Sequence, residues 1–194
     1  MRPGRCSVWQ TGANNVPPVL AFSATSWRPA SPRRLIEAAV DRLDRLHGIG
    51  AETCDLLDAG PGIAAFRREE MGADAQALIA RIEAAPALII GCPVFQGGYP
   101  GLFKHLFDQI PPGVLKGRPV LITACGGGLR HALVVEHQLR PLFGFFEALT
   151  MPTAVYACAP ELDADGAPTG ALAQRLETGV AQLAASLREI RCAA

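Results

Sequence analysis

Short apolar runs alternate along this chain with longer segments in which apolar residues recur at helical spacing. The apolar runs predict five strands, at residues 19–23, 52–57, 87–91, 119–124 and 153–158. The longer segments predict five helices, at residues 31–46, 73–84, 101–109, 131–149 and 171–191. Because the strand sequences are almost continuously apolar, we expect an α/β fold with a parallel sheet covered by helices on both faces.

The alternation runs from residue 19 to residue 194 without a linker, which predicts a single domain. Residues 1–18 do not share it, and we expect them to be a loose N-terminal extension. Their basic start is not followed by the continuous apolar segment of a signal peptide. The alternative architecture is a Rossmann-type sheet. Against it, the loop after the first strand lacks the G-x-G-x-x-G pattern of dinucleotide-binding folds.

Composition excludes several classes of function. Lys and Arg number 18 and balance 18 Asp and Glu, so we expect neither a nucleic-acid partner nor a membrane partner. No apolar run approaches the roughly 20 residues of a membrane span. The six cysteines are scattered without a C-x-x-C pair, which favours buried thiols in a reducing cytoplasm over a metal site.

Three loops follow strands and are therefore expected to meet at the carboxyl edge of the sheet, where open α/β sheets bind ligands. The loop at residues 23–31 combines hydroxyls, Arg28 and a helix N-terminus, which suits an anion such as phosphate. The alternative is that Ser31 only caps the helix, with Pro32 at its first turn.

The other two loops are rich in glycine. Residues 93–104 begin where a buried strand stops at Pro93, and their glycines and aromatics with little charge suit a flat, uncharged ring. Residues 124–131 carry three successive glycines, whose backbone could approach a ring closely. Alternatively, the first loop is an ordinary tight turn and the second a flexible connection. His131 begins the next helix, where it could cap the helix or contact a ligand.

Acid–base and nucleophilic signatures are missing from the sequence. It contains no paired carboxylates, no G-x-S-x-G elbow and no Walker loop. The fourth predicted helix is apolar on more than one face, which indicates deep burial or a subunit interface. We favour a contact between copies of this chain.

Taken together, residues 23–31, 93–108 and 126–142 resemble the NAD(P)H-dependent FMN reductases of flavodoxin-like fold. The closest resemblance is to the reductase components of two-component alkanesulfonate or methanesulfonate monooxygenases. It implies a flavodoxin-like three-layer sandwich with strand order 2-1-3-4-5, and a π-type irregularity near Tyr99. The FMN-binding residues that it implies are Ser23, Ser26, Trp27, Arg28, Ser31, Pro93, Val94, Phe95, Gln96, Gly97, Tyr99, Cys125, Gly126, Gly127, Gly128 and His131.

The resemblance implies that NADH or NADPH passes a hydride to FMN without a catalytic side chain, and that the reduced flavin leaves for a monooxygenase of sulfonate metabolism. It further implies a homodimer or homotetramer. Two alternatives stay open: a reductase that keeps FMN bound and reduces a quinone, azo dye or chromate, and a flavodoxin-like electron carrier. The sequence leaves the choice between NADH and NADPH undecided, because it has no recognisable residue that would read the ribose or its 2′-phosphate.

Overall fold

The structure, a computed structural model, describes residues 18–193. Except for Pro18, the N-terminal extension predicted for residues 1–18 lies outside the described residues. Within them, no helix combines the length and the apolar character needed to cross a bilayer.

Six strands form a single sheet in which each strand runs parallel to its neighbour. They are Val19–Ser23 (β1), Ala51–Asp55 (β2), Ala87–Pro93 (β3), Pro119–Gly126 (β4), Leu149–Thr150 (β5) and Val155–Cys158 (β6). The order is β2-β1-β3-β4, with β5 and β6 both paired to the far edge of β4. The predicted order 2-1-3-4-5 is therefore confirmed, with the fifth position occupied by two short strands.

Helices cover both faces of the sheet, as expected. They are Ser31–His47 (α1), Ala73–Ala84 (α2), Gly101–Asp108 (α3), Arg140–Phe145 (α4) and Gly170–Ala193 (α5). Alternate residues of β1 divide between two cores: Val19 and Ala21 pack under α1 and α5, whereas Leu20 and Phe22 pack with residues of α2, α3 and α4. The near-continuous apolar strand sequences reflect this burial on both faces.

The strand predicted at residues 153–158 begins two residues later in the structure, at Val155, and a separate short strand, β5, precedes it. Pro152 has no N–H to donate to a ladder, and the Thr153 N–H donates to Oε1 of Gln182 (2.9 Å) instead of to a strand. The Arg140 guanidinium binds the carbonyls of Met151 (3.0 Å) and Pro152 (3.3 Å) from the side. The ladder resumes only at β6.

The continuous helix predicted at residues 131–149 is also wrong. A 3₁₀ turn at Leu129–His131 is followed by a π-helical stretch at Val135–Leu139 and then by α4. Pro141 supplies the physical reason, because a proline ring clashes with the carbonyl four residues earlier and a wider turn relieves that clash. The π irregularity expected near Tyr99 is not found there, since α3 is regular.

Candidate active site

A cavity of about 510 Å³ opens at the carboxyl ends of β3, β4 and β6, next to the N-terminus of α1. Its position is the one expected from parallel α/β topology. Eight of the predicted site residues line it, namely Trp27, Ser31, Pro93, Val94, Phe95, Cys125, Gly126 and Gly127. Three loops far apart in the sequence therefore do meet at one cavity.

The other eight predicted residues lie nearby but do not line the cavity; they are Ser23, Ser26, Arg28, Gln96, Gly97, Tyr99, Gly128 and His131. Ser23 is completely buried, and its hydroxyl pairs with that of Thr25 at 3.1 Å. Tyr99 packs its ring on Phe103, with 5.8 Å between the ring centroids. Their predicted contacts with FMN stay predictions.

The start of α1 presents unsatisfied donors to the cavity. Its N-cap residue Ala30 offers no side-chain cap, and the N–H groups of Ser31 and Arg33 have no acceptor within residues 18–193. Such groups carry the positive end of the helix dipole. Because Pro32 lacks an N–H, Ser31 supplies both a backbone donor and a hydroxyl at this point. The arrangement is suited to an oxyanion.

Arg28 is held by two carboxylates, one at the end of β2 and one in the segment that follows it. Its Nε and Nη2 donate to the two carboxylate oxygens of Asp55 at 2.6 and 2.8 Å, and Nη2 also donates to Asp58 at 2.8 Å. Arg33 adds a bond to Asp55 at 2.6 Å. Burial raises the pKa of Asp55, but the hydrogen bonds and charges of the two arginines outweigh burial and hold that pKa below its ordinary value.

Arg34 is a cavity residue that the sequence analysis missed. Its side chain lines the cavity and forms neither an ion pair nor a hydrogen bond with any residue from 18 to 193. It lies against Gly166, where an added Cβ would come within 2.6 Å of the Arg34 Cδ. One signal was available in the sequence: Arg33 and Arg34 occupy the first turn of a helix, where cations are disfavoured unless an anion is present.

Residues 95–98 form a tight two-residue hairpin. Phe95 and Gly98 exchange two backbone hydrogen bonds of 2.8 and 2.9 Å, and both central residues have positive φ, 49° for Gln96 and 85° for Gly97. This is the pattern of a type I′ turn. From the π-helical stretch, Nε2 of Gln138 donates to the Gly97 carbonyl at 3.1 Å. The predicted glycine-rich loop therefore contains a tight turn that is held in place by its own backbone hydrogen bonds and by Gln138.

An exposed aromatic pair joins the first two loops at the cavity. The rings of Trp27 and Phe95 stack with centroids 5.4 Å apart and planes at 21°, and the two residues are 44% and 38% exposed. The pair offers a flat apolar surface beside the polar start of α1. A ligand with a planar ring and a charged tail would meet both features.

The glycine loop after β4 is packed on one side and open on the other. An added Cβ on Gly126 would lie 2.3 Å from the Tyr156 hydroxyl, whereas one on Gly127 would meet nothing within 4 Å. The N–H groups of Gly127 and Gly128 have no acceptor in the described chain. They are therefore free to donate to a carbonyl oxygen or a ring nitrogen.

The far wall of the cavity lies within residues 157–166, of which the sequence analysis assigned only residues 157 and 158, to the end of the fifth predicted strand. The Cys158 N–H donates to the side chain of Glu161, three residues later, at 3.1 Å. Asp163 folds the loop by accepting the N–H groups of Asp165 (2.9 Å) and Ala167 (2.8 Å). No pattern of chemistry-bearing residues marked this segment in the sequence, and only the sheet brings it to the site.

Two cysteines in the cavity wall have raised pKa values. Burial raises the pKa of Cys125 to about 12, and a hydrogen bond to Glu161 raises that of Cys158. Both thiols are therefore protonated at neutral pH. Within residues 18–193 there is also no cluster of His, Cys, Asp or Glu that could hold a metal ion. The cavity offers donors, a flat surface and one cation, which suits binding and orientation of a reactive ligand.

Comparison with known proteins identifies the family. Residues 17–161 match the model of the family described as NADPH-dependent FMN reductase. The chain belongs to this family. The reductase is 43% identical over 146 residues to FMN reductase (NADPH) of Pseudomonas aeruginosa, covering 75% of this chain and 78% of that protein. It is 46% identical over 140 residues to NADH-dependent FMN reductase SfnF of Pseudomonas fluorescens, covering 72% and 75%.

A solved structure agrees with this assignment. The reductase superposes on an oxidoreductase from Corynebacterium diphtheriae with a TM-score of 0.72 at 27% identity, covering 88% of this chain and 97% of the other. The reductase is thus an NAD(P)H-dependent oxidoreductase with FMN as its flavin and a flavodoxin-like fold. The two Pseudomonas relatives are named for different nicotinamide nucleotides, so similarity alone does not assign the donor.

Proposed function

We propose that this reductase uses FMN as a diffusible substrate and supplies reduced flavin to a monooxygenase of the sulfonate type. The three loops that line or border the cavity are those that resemble reductases of two-component alkanesulfonate and methanesulfonate monooxygenases. The observation that carries the proposal is the cavity itself, which is open and is lined by unsatisfied backbone donors, by Arg34 and by the stacked pair Trp27 and Phe95. Bound FMN supplies the hydride-accepting chemistry, and NAD(P)H supplies the hydride.

The residues of the chain fit FMN in three parts. The unsatisfied N–H groups at the start of α1, the Ser31 hydroxyl and the Arg34 guanidinium would hold the phosphate. The stacked pair Trp27 and Phe95 would shield one edge of the flavin from water.

The free N–H groups of Gly127 and Gly128 would bind the polar edge of the ring and stabilise the negative charge that develops there on reduction. Position and electrostatics are then the contribution of the protein to the reaction, and no side chain needs to exchange a proton.

The first test is oxidation of NADH and of NADPH by the purified chain at increasing concentrations of added FMN. We expect turnover that saturates with FMN, and flavin that is lost on dialysis. Retained flavin with rapid reduction of a quinone, azo dye or chromate would instead favour the alternative reductase. Flavin binding without oxidation of either nucleotide would favour the electron carrier. The same titration measures the preference between NADH and NADPH.

We also propose that the reductase assembles with copies of itself in a reducing cytoplasm. A groove of about 610 Å³ lies between α3 and the segment formed by the π-helical stretch and α4. Phe145, at its rim, is 67% exposed and adjoins Leu142 and Phe146 of the same groove, and contiguous apolar surface of this kind marks interaction sites. Within residues 18–193, the cysteines at positions 54, 92, 125, 158 and 192 are free thiols, and free thiols persist in reducing compartments.

A further inference from the structure

The glycine loop at residues 126–128 is anchored from behind by a single hydroxyl. The Tyr156 O–H donates to the Gly128 carbonyl at 2.6 Å. Tyr156 lies on β6, next to β4, and its ring packs against the core beneath the loop. The phenol therefore reaches from a rigid strand to the far end of the loop, while the ladder between β4 and β6 holds the near end at Gly126.

The same hydroxyl also limits which residue can stand at the near end. A Cβ on Gly126 would lie 2.3 Å from the Tyr156 hydroxyl oxygen, 3.2 Å from its Cζ and 3.3 Å from Cγ2 of Val94. The loop is thus pressed against Tyr156 at Gly126 and bonded to it at Gly128. Gly127, between them, faces open space, and its N–H and that of Gly128 are left without an acceptor in the described chain.

We infer that Tyr156 is a positioning residue that holds the glycine loop in the conformation that binds FMN. The inference rests on the proposed contact between this loop and the flavin. A triple glycine has more backbone freedom than any other tripeptide and loses that freedom when it binds a ligand. A hydroxyl that fixes the Gly128 carbonyl removes part of this cost before the ligand arrives.

The phenol is suited to this role at neutral pH. Burial raises the pKa of Tyr156 above its ordinary value, and the nearby Cys158 contributes in the same direction. The hydroxyl therefore keeps its proton and stays a donor to the carbonyl. Neither Tyr156 nor its hydroxyl lines the cavity, so its effect on the ligand passes through the loop.

The test compares Tyr156→Phe with Thr123→Val. Thr123 is completely buried in β4, and its hydroxyl donates to the Ile90 carbonyl at 2.9 Å, away from the cavity. Each variant deletes one hydroxyl-to-carbonyl hydrogen bond, and both are expected to lower the thermal unfolding midpoint. Only Tyr156→Phe should raise the FMN dissociation constant, by about threefold to tenfold, the scale of one neutral hydrogen bond. It should raise the KM for FMN with little change in kcat.

A double-mutant cycle tests the coupling through the loop. Gly126→Ala alone should weaken FMN binding by more than about tenfold, because the new methyl group and the hydroxyl cannot occupy the same space. With Tyr156→Phe the shortest contact disappears, so the double variant should bind better than the product of the two single effects predicts. If Gly126→Ala fails to fold, the comparison of Tyr156→Phe with Thr123→Val still decides the inference.

Three results would overturn the inference: an unchanged FMN dissociation constant for Tyr156→Phe, an equal change for Thr123→Val, or strictly additive effects in the cycle. Failure of the proposed function would look different. In that case the unmodified chain would not turn over NAD(P)H with added FMN, whatever the variants do.

Discussion

Two arginines six positions apart differ in what surrounds them, and this difference separates a structural from a binding role. Arg28 is engaged by Asp55 and Asp58, so its positive charge is neutralised inside the protein. Arg34 lines the cavity and has no carboxylate partner in the described part of the chain. A phosphate entering the cavity would therefore be attracted more strongly by Arg34 than by Arg28, because no carboxylate of the described chain neutralises the charge of Arg34.

We predict that Arg34→Gln raises the FMN dissociation constant by about tenfold to a hundredfold, the scale of a hydrogen bond to a charged group. The measurement is a fluorescence titration with FMN and, in parallel, with riboflavin, which has the same ring but no phosphate. Riboflavin affinity should hardly change. Loss of affinity for both flavins would place Arg34 at the ring instead.

The matched control is Arg28→Gln, which tests the role that sequence analysis gave to Arg28. We expect it to lower thermal stability, because it leaves the Asp55 carboxylate with fewer donors, and to change FMN affinity less than Arg34→Gln does. If only Arg28→Gln weakened FMN binding, the phosphate would belong to Arg28.

At the scale of secondary-structure elements, the end of β2 and the start of α1 are joined by a buried carboxylate. Asp55 is fully buried and accepts hydrogen bonds from Arg28, Arg33 and the N–H of Leu57 (3.0 Å). These bonds fix the first loop against the next strand connection. The loop that borders the cavity thus depends on a residue 27 positions away from Arg28 in sequence.

The lowered pKa of Asp55 predicts how stability depends on pH. The contribution of the Asp55 carboxylate to the free energy of unfolding is fully present above the pKa that Asp55 has in the unfolded chain, about 3.9. It is lost as pH falls from there through the lower pKa of the folded protein. We therefore expect the free energy of unfolding, measured with urea between neutral pH and pH 2.5, to fall steeply below pH 4.

Asp55→Asn should destabilise the protein by about 1–3 kcal/mol at neutral pH, because partly buried donors lose a charged acceptor. In this variant the free energy of unfolding should also fall less steeply below pH 4. If the free energy of unfolding of this variant fell just as steeply below pH 4, other carboxylates, such as Glu136 beside Arg140, would dominate the loss of stability in acid.

At the scale of the whole molecule, the two faces of the sheet differ in what they leave exposed. The face covered by α3 and α4 keeps the apolar groove with Phe145 at its rim. On the opposite face, Leu46 near the end of α1 is 57% exposed but borders none of the cavities described above. These two exposed residues allow a matched comparison of the two faces.

We predict that Phe145→Asp shifts the reductase from an oligomer toward a monomer, since a buried carboxylate at a subunit contact would be unpaired. Leu46→Asp should leave the oligomeric state unchanged. Sedimentation velocity over a concentration series measures both. An oligomer that survives Phe145→Asp would place the contact elsewhere, and a monomeric unmodified chain would remove the proposal.

Hydrophobic periodicity alone was enough to predict a parallel sheet covered on both faces and the approximate position of most elements in this protein, whereas the strand order came from the family resemblance. Residues 19–23 and 73–84 were predicted as the structure has them, because burial of a strand on two faces, or of a helix on one, leaves a local pattern. The glycine loops at residues 93–101 and 126–128 were also visible, since their backbone demands restrict which residues can stand there.

Only the tertiary structure decided the pairing of Arg28 with Asp55, the free charge of Arg34, the hydroxyl of Tyr156 behind the glycine loop and the division of the fifth strand position between β5 and β6. Each depends on groups brought together from distant segments. The neighbours of Arg28 in sequence say nothing of Asp55, and nothing near residue 156 in sequence indicates contact with Gly128. Periodicity reports which side of an element is buried, whereas the partner of a polar group is chosen by the packing of whole elements.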